Sequence, residues 1–396
     1  MRVVTADTLQ PGDPRYPSAM PTEEIAIATP PARSHPEPNF APARGLLEKA
    51  VSERVFPGAA FGILHQGQVL LLDSVGRLTD DETARAVEAA TVFDLASVSK
   101  VVATTAAAMV LHGRNRLDLD TRLGDILPGF VVGSEHGSGK VRVTLRMLLA
   151  HSSGLPAYVK FFETCATPEA LLRAALQLPL EAQPGSRTEY SDPGFMLLGK
   201  AIEVLAGEPL DAFCAREIFE PLGLTATGFR PAASIHAAIP PTERDTWFRN
   251  RIIQGEVQDE NASVLGGVAG HAGVFSNVPD LLRFAQCILD AGRSAAGNPV
   301  FDSKTLNLFA TRQTTADGKS RALGWDVPTP PSSSGQHFGP RSIGHLGYAG
   351  TSLWIDPDQG LAVALLTNRT WPDRTNDAIR QVRPAFHDAV VAALRG

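Results

Sequence analysis

Strand-like runs at both ends of the chain, with a long helix-rich stretch between them, constrain its fold most. Near the start, residues 58–64 and 69–72 read as two strands joined by the turn His65-Gln66-Gly67-Gln68. Near the end, Ile343-Gly344-His345-Leu346-Gly347 reads as a strand. Thr351-Ser352-Leu353-Trp354-Ile355 and residues 361–366 read as two more, joined by Asp356-Pro357-Asp358-Gln359-Gly360. Between these ends, apolar periodicity predicts helices over 101–111, 145–150, 168–178, 195–205, 210–219 and 280–291, and a last helix follows over 377–394. Such an order implies a mixed α/β chain of the α+β type: an antiparallel sheet from both terminal segments, with a mainly helical lobe inserted. A site is expected at the seam between the lobes.

The boundaries follow from composition. Residues 1–39 carry Pro11, Pro14, Pro17, Pro21, Pro30, Pro31, Pro36 and Pro38 and read as a disordered tail. Residues 40–96 and 320–396 form the expected sheet lobe, and 97–319 the helical lobe. The start lacks the basic and apolar segments of a secretory signal, which implies a cytoplasmic protein as the sequence is given, or a periplasmic one if the true start differs. No apolar run is long enough to span a bilayer. A formal charge of -6 argues against a nucleic-acid partner. Cys165, Cys214 and Cys287 are far apart and have neither disulfide-framework nor metal-site spacing.

The chemistry concentrates where the expected strand 91–95 turns into the first helix of the inserted lobe, at Ser97-Val98-Ser99-Lys100. Lysine is scarce in this chain, and only Lys100 has a serine three residues before it. Residues three apart share a helix face, so hydroxyl and amine meet. The helix N-terminus also favours negative charge developing at the serine. The arrangement activates a serine without histidine, as in an acylating hydrolase.

Three further segments join this Ser-x-x-Lys motif: Tyr190-Ser191-Asp192, His345-Leu346-Gly347, and Leu148-Leu149-Ala150-His151-Ser152-Ser153-Gly154-Leu155-Pro156. Together they resemble the penicillin-recognising serine hydrolases. That family includes class C β-lactamases, D-alanyl-D-alanine carboxypeptidases and carboxylesterases of the β-lactamase fold. The resemblance covers roughly residues 40–396 and implies a β-lactamase/transpeptidase-like architecture. By resemblance, Ser97 is the nucleophile that forms an acyl-enzyme, Lys100 holds its hydroxyl, and Tyr190 shuttles protons as base and then acid. His345 lines the strand edge of the site. The backbone N–H groups of Ser97 and Tyr348, beside Gly347, form the oxyanion hole. A tyrosine with an ordinary pKa of about 10 serves as base near neutrality only beside a positive charge, which Lys100 supplies.

Two departures from the family pattern shift expectation. Asp192 stands where better-known members carry asparagine; an ionised carboxylate only accepts hydrogen bonds, so it would repel a substrate carbonyl and instead take an amine, a hydroxyl or Lys100. His345 stands where class C β-lactamases carry lysine, and neutral imidazole partners a carboxylate poorly. The expected function is an acyl-enzyme serine hydrolase, β-lactamase or DD-peptidase-like, acting on a small-molecule or peptide substrate. A carboxylesterase and a non-catalytic binding protein on the same fold are the alternatives. No cofactor is expected: His271, with Asp259 and Glu260, lacks the spacing of a metal site. Two readings of the glycine cluster 266–273 stay open, a lip of the cleft or a packed turn, and His151 reads as a structural histidine. Oligomeric state leaves no sequence signature here.

Overall fold

The structure is a computed structural model that describes residues 38–133 and 139–396; nearly all of the proline-rich segment expected as a tail lies outside them. Its centre is a five-stranded antiparallel sheet, in the order Ile343–Leu346, Ser352–Asp356, Leu361–Thr367, Gly58–His65, Gln68–Gly76. The two early strands thus join edge to edge with the three late ones in one sheet, as the strand pattern at the two ends implies. Gln66 and Gly67 both have positive φ (50° and 76°), the conformation a two-residue hairpin needs to match strand twist.

Both faces of this sheet are covered, which is why its central strands read as unbroken apolar runs. Phe61, Ile63, Val363 and Leu365 point to one side, toward the helices Ala41–Ser52 and Ile379–Arg395. Ala60, Leu64, Ala362 and Ala364 point to the other, into the larger core shared with the helical region. There the Val278–Leu289 helix lies so close that a side chain at Gly62 would overlap Val278 and Leu282.

The middle of the chain supplies the helices Leu145–Leu149, Pro168–Gln177, Asp192–Ala206 and Ser303–Ala310, with short strands the sequence did not signal. One of these corrects the reading of 91–95. Phe93–Asp94 pairs with Val274–Ser276, which also pairs with Gly228–Phe229, so the strand before Ser97 belongs to a separate small sheet. The helix expected over 101–111 begins differently as well. A 3-10 turn at Ala96–Val98 leads into a π-helical stretch, Lys100–Thr105, before the α-helix Ala106–Gly113. Wide turns of this kind cluster at functional sites. Among the described residues, no helix is long and apolar enough to cross a membrane.

The glycine cluster wedges between these elements. A Cβ on Gly270 would overlap the Phe195 carbonyl and crowd Gly199, both in the Asp192–Ala206 helix, while the Gly270 carbonyl accepts a hydrogen bond from Thr104 Oγ1 at 2.7 Å. Neither neighbour is a movable side-chain tip. Gly270→Ala is therefore expected to destabilise the protein by about 3 kcal/mol or more. An unchanged midpoint in urea unfolding would refute this.

Candidate active site

A tight turn ahead of Ser97 presents its side chain. Ala96 holds φ of +48°, rare for a residue with a Cβ, and donates its N–H to Asp94 Oδ1 at 2.8 Å. Asp94 also accepts the Gln258 N–H at 2.7 Å, and full burial pushes its carboxyl up to about 6. Thr351 Oγ1 donates to the Leu95 carbonyl, and Ser99 Oγ accepts from the Val274 N–H. The strained turn is thus fixed from three directions.

Lys100 is completely buried. Its ammonium has three protons and meets three acceptors: Ser97 Oγ at 2.9 Å, the His271 carbonyl at 2.8 Å and Asp192 Oδ1 at 2.7 Å. Burial alone would lower the pKa of Lys100. The Asp192 carboxylate, with Tyr190, outweighs it and holds the lysine above its ordinary value, charged.

Tyr190 Oη lies 2.8 Å from Ser97 Oγ. The sequence argument that Lys100 would make this phenol acidic needs correction: burial, then Asp192, raise its pKa and outweigh the pull of Lys100. Tyr190 rests as a neutral phenol. Its position comes from the Tyr-Ser-Asp segment serving as a helix start. Ser191 caps the Asp192–Ala206 helix through Gly194 N–H, and its Oγ donates to the Pro156 carbonyl. His151 Nδ1 accepts the Ser191 N–H at 3.0 Å, and its ring stacks between Tyr190 and Phe195. Burial keeps His151 neutral, well below its ordinary pKa. His151 thus aligns Tyr190, a role whose trace in sequence was the Leu148-to-Pro156 segment.

His345 faces the same cavity from its strand, 6.1 Å from the Tyr190 ring between centroids. Nδ1 pairs with the Leu346 carbonyl at 2.8 Å, Nε2 has no hydrogen-bond partner among the described residues, and burial, with Arg321 and Lys100 nearby, holds the ring well below its ordinary pKa. The imidazole is neutral, with Nε2 available as an acceptor.

The turn after His345 is held by two arginines. A Cβ on Gly347 would overlap Thr351 and crowd the Leu95 carbonyl, so only glycine lets this turn meet the serine turn. Arg383, buried, donates to the Gly347 and Gly350 carbonyls at 2.6 and 3.0 Å, and Arg369 to the Tyr348 carbonyl at 2.7 Å. Neither arginine was singled out from sequence; isolated arginines on a final helix and after a strand carry no pattern.

Ser97, Tyr190, Asp192, His345, Gly347 and Tyr348 line a cavity of about 820 Å³, and Asp259 and Glu260 border it. The glycine cluster is both lip and packed turn: Ala272 faces the cavity while Gly270 is wedged against the helix. His271 Nε2 meets Asp259 Oδ1 at 2.8 Å, and Glu260 accepts from Arg374 at 2.5 Å. Asn261 instead braces a loop, through the Phe162 N–H and the Val159 carbonyl. A second cavity, of about 580 Å³, is lined by residues between Asp211 and Phe229 and contains none of these groups.

A serine held by a charged lysine and a phenol, at the edge of an antiparallel sheet, defines the class of acylating serine hydrolases with this fold. The sequence profile of the beta-lactamase family matches residues 43–385, and the chain belongs to that family. It is 33% identical over 350 residues to an N-acetylmuramyl-L-alanine amidase of Bacillus subtilis (strain 168), covering 79% of this chain and 77% of the relative. It is 34% identical over 305 residues to a protein of Escherichia coli (strain K12) described as a "Putative D-alanyl-D-alanine carboxypeptidase", covering 70% and 69%. The fold superposes on EstCE1, a hydrolase with promiscuous acyltransferase activity, with a TM-score of 0.70 at 23% identity, over 87% of this chain and 97% of the other.

Proposed function

We propose that this serine hydrolase forms its acyl-enzyme on Ser97, at the seam between a sheet lobe (40–96 and 320–396) and a helical lobe (97–319), and that its substrates are peptide-like amides or β-lactams. The observation that carries the reading is Ser97 Oγ within 2.9 Å of both Lys100 Nζ and Tyr190 Oη, beside a cavity large enough for a small peptide. Tyr190 works as a relay: it takes the Ser97 proton on a lone pair while its own proton passes to the leaving nitrogen, so no tyrosinate is needed. Ser97 Oγ bonds to the acyl carbon and the C–N bond breaks. Water then enters on the leaving side, gives a proton to Tyr190 as Tyr190 returns one to Ser97, and releases the acid. The charge of Lys100 stabilises negative charge building on Ser97 Oγ, and the N–H groups of Ser97 and Tyr348 receive the carbonyl oxyanion. The names of the amidase and carboxypeptidase relatives support an amide substrate.

The second reading, a carboxylesterase, is favoured by one feature. His345 is neutral where a fixed cation would anchor a substrate carboxylate, and esters need no such anchor. An intact-mass time course with benzylpenicillin separates the two. A persistent adduct on the wild type, absent from Ser97→Ala, supports the peptidase-like reading; no adduct and no hydrolysed drug, with turnover of short p-nitrophenyl esters, supports the esterase.

Asp192 gives a sharper prediction. In Asp192→Asn the amide can donate to a substrate carbonyl, and Lys100 loses the carboxylate that opposes its desolvation. Acylation by benzylpenicillin is expected to rise about tenfold. With the pKa of Lys100 falling, a new alkaline limb appears in which the rate declines with pH as the amine loses the charge that steadies Ser97 Oγ. A rate equal to or below the native one would refute the repulsive role given to Asp192.

A further inference from the structure

Among the described residues, aromatic rings are buried or half-buried, with a pointed exception. Among the described residues, the large exposed aromatic side chains are Tyr158 (41% exposed), Trp247 (46%) and Tyr348 (51%), and all three line the cavity that holds Ser97. Leaving such rings in water forfeits burial, and their convergence on one cleft marks a recognition surface rather than scattered exposure.

Two of the rings, Trp247 and Tyr348, are also fixed in place. Arg374 stands between two of them, 5.7 Å from the Trp247 centroid and 5.8 Å from that of Tyr348, and is itself tied to Glu243 at 2.7 Å and Glu260 at 2.5 Å. Lys160 lies 5.2 Å from the Trp247 ring and Arg369 4.3 Å from the Tyr348 ring. Phe162 packs edge-on against Trp247 at 5.1 Å. Stacking with cations and rings holds the wall rigid before any ligand arrives, which lowers the entropy cost of binding. Burial, with Asp259 and Glu260 nearby, keeps the Tyr158 hydroxyl protonated and able to donate.

Chemistry then assigns a direction. The leaving atom must meet Tyr190, the proton donor, whose neighbours are His345 and Arg321. The acyl arm is then assigned to the part of the same cavity that the three rings line. Building on the Ser97 acyl-enzyme reading, we propose that Trp247, Tyr348 and Tyr158 form a subsite for a flat-faced ring carried on the acyl arm of the substrate. Aryl groups and pyranose sugars share that chemistry, since both present flat, weakly polar faces to an aromatic side chain.

The test compares kcat/KM for the p-nitrophenyl esters of acetic, phenylacetic and N-acetylmuramic acids. In the native enzyme at least one ring-bearing ester is expected to exceed the acetate by about tenfold. A gain with phenylacetate alone identifies an aryl site, a gain with the muramate ester a sugar site; no gain with either overturns the proposal. In Trp247→Ala the ring-to-acetate ratio should drop below about threefold, while Trp247→Phe retains most of it. Tyr158→Leu provides an independent second variant, and a ratio unmoved in both overturns the proposal. Acetate turnover surviving in Ser97→Ala would overturn the underlying nucleophile reading instead, a result the ratio cannot mimic.

Discussion

Ser97→Ala is expected to lower kcat on the best substrate by on the order of 10⁴-fold or more, with KM little changed. The size follows from what remains. Lys100 would keep Asp192 and the His271 carbonyl, and Tyr190 would keep its stack on His151, so the cavity and its charges persist. What disappears is the atom that bonds to the substrate. Water at the same place would lack the orientation that the turn at Ala96, with its Asp94 and Thr351 braces, imposes on the serine. Residual turnover within tenfold of native, or a benzylpenicillin adduct of unchanged mass on the variant, would remove Ser97 from the mechanism.

Lys100→Met keeps the length of the side chain and removes its charge and three donors. A loss of about 10³-fold in kcat is expected, because Ser97 Oγ loses the cation that favours its developing negative charge and Tyr190 loses the positive charge that makes its proton easier to give up. A loss smaller than tenfold would refute this. The pH profile of the native enzyme offers an internal check. His345 and His151 both lie well below ordinary histidine, so neither changes charge between about pH 6 and 8. Lys100 is raised, so it stays protonated through the same range and until strongly alkaline pH. The kcat/KM profile of the native enzyme is therefore expected to be flat above about pH 7 and to bend down only toward about pH 6, where Asp94, its carboxyl pushed up to about 6, takes a proton and weakens its hold on the Ala96 turn. A limb near pH 6.5 that vanished in His345→Asn would show instead that His345 titrates.

The sheet was legible because its strands come from the chain ends and are bounded by turn residues: Gln66-Gly67 and the run from Asp356 to Gly360 fix two of its hairpins. The Ser97 turn was legible through Lys100, since lysine is so rare here that its spacing stands out. The pairing of Phe93–Asp94 was not, because a two-residue strand has no periodicity, and its partner at Val274–Ser276 lies far along the chain. Nor was the protonation of Tyr190. Sequence spacing brought Lys100 to mind as its neighbour, but the balance turned on depth of burial and on Asp192, which only the three-dimensional arrangement defines. The arginines behind the Gly347 turn and the rings at Tyr158 and Trp247 were invisible for a similar reason: each is an ordinary residue until distant segments bring it to the cleft.

The hold of Arg383 on the Gly347 and Gly350 carbonyls has a consequence for how the protein is made. Arg383 belongs to the final helix, and the strand that flanks Gly58–His65 on its inner side, Leu361–Thr367, also comes late in the chain. On the ribosome, Ser97, Lys100 and Tyr190 emerge long before either. Until the final helix docks, the Gly347 turn lacks its Arg383 anchor, and until Leu361–Thr367 pairs the sheet is missing its middle. The growing chain thus carries its proposed nucleophile before the turn opposite it is braced, and docking of the Ile379–Arg395 helix fixes the sheet and the Gly347 turn together.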